Sequence, residues 1–144
     1  MTSNPKTANP VASTAGLMFK GDKSHPDYLA TFKHRGTGSK IHKSMWRKDI
    51  PPKDEHALFC NAHSNEWKSA TDDHWSMQDS ATRMLGEQGE RLCKFPAPAN
   101  SSDPWHGYPV FAHSSGPPTI LTKDWFENGL ISRVTKRRID SGKI

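Results

Sequence analysis

Residues 50–67 read IPPKDEHALFCNAHSNEW, and this stretch decides the fold class. Pro51 and Pro52 terminate whatever extended chain precedes them and suit the first turn of a helix, where a proline lacks no needed donor. Asp54 and Glu55 then place negative charge at the positive end of the helix dipole. The spacing predicts a helix from about Lys53 to about Ser64, which must pack against something on either side. Upstream, Tyr28–His34 and Lys40–Trp46 read as short extended pieces joined by the loop Arg35–Ser39, where Gly36 and Gly38 break any helix.

Downstream, Thr71 looks like an N-cap, Asp72 and Asp73 fill a first turn, and Gly86 stands past an end. With Met77, Ala81, Met84 and Leu85 at helical spacing, a second helix is expected over Asp72–Leu85. Arg91–Phe95 reads as a short strand stopped by Pro96. Trp105–Ala112 reads as a strand interrupted by Gly107 and Pro109, which argue for a bulge or an edge position. Two short helices close the chain: Lys123–Asn128 capped by Thr122 and ended by Gly129, and Arg133–Ser141 capped by Ser132. Trp125, Phe126, Ile131, Val134 and Ile139 would dock this pair on the core. The reading is a small α+β protein: a disordered tail over residues 1–16 and a single domain over 17–144.

Composition sets further bounds. The chain has 144 residues, of which 33% are hydrophobic, so its five Trp and six Phe must supply much of a small core. No apolar run approaches the roughly 18 residues of a membrane span, and the N-terminus has no secretory h-region. Cys60 and Cys93 make no disulfide framework, and two buried thiols in a reducing cytoplasm are the expectation. No P-loop, GxGxxG, GxSxG or HExxH string is present, which leaves nucleotide-dependent and common hydrolase chemistry without support.

The net charge of +5 is unevenly spread. Residues 1–50 hold nine Lys/Arg against three Asp/Glu, residues 51–100 five against eight, and residues 101–144 six against four. Two basic ends flank an acidic middle. The stretch Lys33–Lys48 carries Lys33, Arg35, Lys40, Lys43, Arg47 and Lys48 with no acid, and Arg137 and Arg138 lie in a second basic segment. Such clusters favour polyanions, because cationic contacts release counterions condensed on phosphate backbones. Phe32 and Trp46 stand within or beside the first cluster, where a base could stack, although Trp46 suits a core equally well. The leading expectation is a nucleic-acid-associated protein with RNA favoured over DNA. It holds only if those cations are not covered by the acidic middle, for example by Asp72 and Asp73.

Three other constellations compete. His106, Tyr108 and Arg35, together with His34 and Lys40, could serve a metal-independent ribonuclease of toxin type. Such an enzyme needs an imidazole to move a proton and a cation for the developing phosphorane charge. Gly107 would let the backbone approach a ligand. His56, Cys60 and His63 fall at i, i+4 and i+7 on one helix face and offer zinc-ligand chemistry that His74 or Cys93 could complete, yet no CxxC pair accompanies them. No cofactor is otherwise implied. The C-terminal helix pair has the outline of a helix-turn-helix, but Trp125 occupies the position where close helix crossing wants a small residue. A protein-interaction module using the aromatic and basic surface is the remaining alternative.

The string WHGYPV (Trp105–Val110), followed by Trp125, GLIS, KRRI and GK, resembles the C-terminal part of small uncharacterised bacterial proteins. The resemblance covers about the last 40 residues. It implies a bacterial or phage setting and a basic helix pair, and it brings no activity with it.

Overall fold

A computed structural model describes residues 10–36 and 44–144. The α+β expectation holds. Two three-stranded antiparallel sheets share one core with a central helix, and three short helices close the C-terminal side.

The first sheet comprises β1 (Val11–Ala12), β2 (Gly16–Phe19) and β3 (Tyr28–Thr31) in that order. It begins at Val11, inside the segment whose composition reads as a tail. Phe19 lies opposite Tyr28, and Gly16 opposite Thr31, where a Cβ on Gly16 would collide with the Ala30 carbonyl. Close strand approach therefore requires glycine there. The helix α1 (Pro52–Asn65) starts and stops within a residue of its sequence signals, with Pro51 as its N-cap residue. It lies against β3 and β4 (His74–Met77).

Where a second helix is expected over Asp72–Leu85, the chain instead forms β4 and a kinked 3-10 turn, Asp79–Ala81. The apparent N-cap serves a turn: Asp72 has a φ of 69° and donates its N–H to Ser69 O (3.0 Å), while Asp73 accepts from the Ala97 N–H (3.0 Å). All four residues of β4 are buried, so both faces are covered and no alternation betrays a strand. Met84, expected on the apolar stripe, is 42% exposed.

β5 (Leu92–Phe95) is the central strand of the second sheet, with β4 on one side and β6 (Tyr108–Val110) on the other. Pro109 thus sits on an edge strand, as its missing donor demands. The helices α2 (Ala112–Ser115), α3 (Thr119–Glu127) and α4 (Arg133–Asp140) follow. Ser132 caps α4 by accepting from the Thr135 N–H. Thr122, in contrast, does not cap α3, which begins three residues earlier behind Pro118. Thr122 is buried and donates its hydroxyl to Asp140 Oδ1 (2.6 Å), tying α3 to α4. Trp125, Ile131 and Ile139 dock the pair as expected; Val134 does not, being 63% exposed.

Phe19, Tyr28, Phe59, Phe95 and Trp125 are the bulk of the core, and Trp46 joins them at 2% exposure. Both cysteines are free and buried. No helix among the described residues is long and apolar enough to cross a membrane.

The end of α1 carries one local conflict. Glu66 adopts the left-handed conformation (φ 53°) that closes the helix, with the Trp67 N–H reaching Ala62 O (2.9 Å). A side chain there costs about 1 kcal/mol that glycine avoids. Glu66→Gly is expected to raise unfolding free energy by about 0.5–1 kcal/mol in urea titration; a loss of stability would refute this account of the cap.

Candidate nucleic-acid interface

Immediately after β3 the chain tightens into a 3-10 turn, Phe32–His34, with Thr31 Oγ1 accepting from the Lys33 N–H (3.2 Å). The turn sorts its residues. Phe32 is 51% exposed and Lys33 is exposed, while Arg35 folds inward. Its guanidinium donates through Nε (3.2 Å) and Nη2 (2.9 Å) to Glu55 Oε1 and lies 5.7 Å from the Trp46 ring centre. Glu55 Oε2 accepts from the Tyr28 hydroxyl. Burial pushes the Glu55 carboxyl up to about 7, against the downward pull of Arg35 and Tyr28.

The loop before β6 forms the facing wall. Trp105 is fixed by backbone bonds with Asp27 (2.9 Å) and Leu29 (2.7 Å), and Trp46 Nε1 donates to Gly107 O (3.3 Å). These bonds bring residues 105–108 beside residues 28–35. The His34 ring lies 5.0 Å from that of Tyr108, and His34 Nδ1 is 2.8 Å from Ser44 O. His106 is exposed, and its pKa is lowered by partial desolvation and then by the Lys33 ammonium. Burial raises the Tyr108 phenol. Gly107 admits the Phe95 ring, which a Cβ would overlap, so its closeness serves packing instead of a ligand.

The cations predicted to bind a polyanion are thus of different kinds. Lys33 and Lys48 are exposed and join no ion pair among the described residues. Arg35 is held by Glu55. Arg47 pairs with Asp49 (3.0 Å), which also meets Arg83 (3.4 Å). Lys40 and Lys43 lie outside the described residues. Arg137 and Arg138 are exposed on α4. The neutralising acids are Glu55 and Asp49. Asp72 and Asp73 pair instead with Lys68 (3.0 Å) and Lys94 (4.0 Å), and form no ion pair with the described cations of the segment.

Of the catalytic candidates, His106 and Tyr108 share this wall, whereas the Arg35 guanidinium is occupied as a structural counterion. His34 enters the wall through its ring contact with Tyr108. The zinc-ligand trio divides. His56 Nε2 lies 3.4 Å from Cys60 Sγ, but His63 Nδ1 lies 3.2 Å from His25 Nδ1 and its ring stacks on His74. Burial pushes the Cys60 thiol up to about 12, which disfavours the thiolate a metal needs. Among the described residues no group of three or more His, Cys, Asp or Glu side chains is arranged to hold a metal ion. His74, named from the sequence as a possible fourth ligand, does meet His63, whereas His25 was not legible as a neighbour because it comes from a distant loop.

No protein-family model, no curated protein and no solved structure matches this chain.

Proposed function

We propose that the chain binds nucleic acid, single-stranded RNA ahead of DNA, through the Phe32–His34 turn and the 105–108 loop. One observation carries the reading: a half-exposed Phe32 stands next to Lys33, which joins no ion pair among the described residues, on a turn flanked by the rings of His34 and Tyr108 and by His106. Aromatic faces stack on unpaired bases of any sequence, and the ammonium meets the backbone. Double-stranded B-DNA offers no splayed base to such a surface, which favours single strands. The two free, buried cysteines suit a reducing compartment.

Fluorescence anisotropy with a labelled single-stranded RNA tests this. Affinity should fall with added salt, and Phe32→Ala should weaken binding by about tenfold, the worth of one base–aromatic stack. Arg47→Ala, which removes a cation already paired with Asp49, should change it little. Binding that ignores salt, or that survives Phe32→Ala intact, rejects the proposal.

A ribonuclease reading has one observation of its own: His106 titrates below the ordinary histidine range beside Lys33. A neutral imidazole can take the 2′-hydroxyl proton while the ammonium faces the phosphorane. A His106→Ala protein that stays folded and loses RNA cleavage would support it; wild-type protein inert toward varied RNAs would reject it.

A further inference from the structure

Three of the helices end in the same backbone motif, and the third places two cations where the others have apolar residues. In α1 the left-handed residue is Glu66, and the Trp67 N–H reaches back to Ala62 O. In α3 it is Gly129 (φ 75°), with the Leu130 N–H on Trp125 O (2.8 Å) and the Gly129 N–H on Phe126 O (3.0 Å). In α4 it is Gly142 (φ 74°), with the Lys143 N–H on Arg138 O (2.7 Å) and the Gly142 N–H on Ile139 O (3.0 Å). This geometry sets the residue after the left-handed one against the residue five positions back, and the pair is ordinarily apolar. So it is for Ala62 with Trp67 and for Trp125 with Leu130. In α4 the pair is Arg138 with Lys143.

Both side chains are cationic and stand at the negative end of the helix dipole, with Arg138 Nη2 donating to Lys143 O (3.4 Å). Arg138 and Lys143 line a cleft of about 270 Å³ together with Arg91, His113 and Phe111, and no side chain lining it is acidic. The acids nearest in sequence are engaged elsewhere. Asp140 pairs with Lys136 (2.6 Å) and accepts from Thr122, while Glu90 is buried and accepts from the Gln88 N–H (3.0 Å). Gly142 packs closely on His113, which ties the cleft's α2 wall to the end of α4. The Phe111 and His113 rings stack at 5.2 Å and 12° to each other.

We propose that this cleft is a phosphate-binding site, in which Arg91, Arg138 and Lys143 surround a phosphoryl group. Guanidinium forks match phosphate oxygens in pairs, and an ammonium adds a point charge. The site shares no residue with the Phe32–Tyr108 wall, and it stands or falls without the nucleic-acid reading.

The test is amide-resolved NMR titration of the full chain at low salt. The probes are inorganic phosphate, with chloride as control, and then a 5′-phosphorylated oligonucleotide against its 5′-hydroxyl form. Saturable shifts at Gly89, Arg91, Gly142 and Lys143 with phosphate are expected. They should weaken more than tenfold in Arg138→Gln and in Lys143→Gln, both exposed positions whose exchange leaves the core untouched. Preference for the phosphorylated strand would mean that the phosphate arrives on a nucleic-acid end. Equal response to both strands, with phosphate still bound, would mean a free or small-molecule phosphate. Phe32→Ala should leave phosphate binding unchanged, so loss of RNA affinity and loss of this site are read separately. No saturable shift at these amides, an equal response to chloride, or undiminished binding in both variants would overturn the proposal.

Discussion

Arg35→Ala is expected to cost about 1 kcal/mol more stability at pH 8 than at pH 6. The reason is the setting of Glu55, which is fully buried and has both oxygens engaged, one by Arg35 and one by Tyr28. With the guanidinium present, the carboxyl titrates at about 7, above its ordinary 4.5. A carboxyl whose folded pKa is raised contributes stability that is full below 4.5 and declines as pH rises through 7. Without Arg35 the folded pKa climbs further, so the decline continues to higher pH in the variant than in the wild type. The difference between them therefore grows with pH. At pH 6 both proteins hold Glu55 largely protonated, and little beyond lost packing separates them. Urea unfolding at pH 6, 7 and 8 would show this. A second change, Glu55→Gln, in the Arg35→Ala background should flatten the pH dependence, because a neutral amide still accepts from Tyr28 and needs no counterion. A loss equal at all three pH values would mean that Glu55 is not the group left uncompensated.

The same pair shows where sequence reading stops. Pro51, Pro52, Asp54 and Glu55 located the start of α1, because prolines and acids act on the local backbone. That Glu55 turns inward to Arg35, 20 positions away, and to Tyr28, 27 away, is a tertiary fact with no local signal. Charge counting consequently treats Arg35 like Lys33, though one is a core counterion and the other is open to solvent. Ser132 could be read as a cap because its hydroxyl competes for nearby N–H groups; Thr122 has the same chemistry but lies one helical turn too late, and its partner is Asp140. Thr71, Asp72 and Asp73 suit a tight turn as well as a helix start, and β4, covered on both faces, lost the alternation that would have decided between them. The candidate interface was half legible. Its residue types stood out in the sequence, but Lys33 meets His106 only because strand β3 bonds to Trp105.

Acidification from pH 7 to pH 4.5 should also lower the melting temperature. His56, His63 and His74 are all held below the ordinary histidine pKa, chiefly by burial, and His56 falls to about 4. His56 is packed between the rings of Phe19 and Tyr28, and its Nδ1 has no hydrogen-bond partner among the described residues. Cys60 lies against it, with His25 and Asp22 as the charges it senses. His63 faces His25, His74, Lys68 and Asp72, and His74 faces Asp72, Asp73 and Lys68. For a histidine with a depressed folded pKa, the unfolded chain takes up the proton first. Its stabilising share is complete above 6.5 and is lost as pH falls towards the folded value. Glu55 opposes this, since the folded state binds its proton more tightly between 7 and 4.5. Glu55 and His56 are displaced by similar amounts with opposite effects, so His63 and His74 set the net slope, which runs towards unfolding in acid. His56→Phe keeps a ring for Phe19 to stack on and removes the orphaned nitrogen. It should therefore melt higher than wild type at pH 4.5 and reduce the acid dependence by about one proton. A melting temperature flat between pH 7 and 4.5, or a pH profile unchanged by His56→Phe, would show that these imidazoles are not kept neutral by the fold.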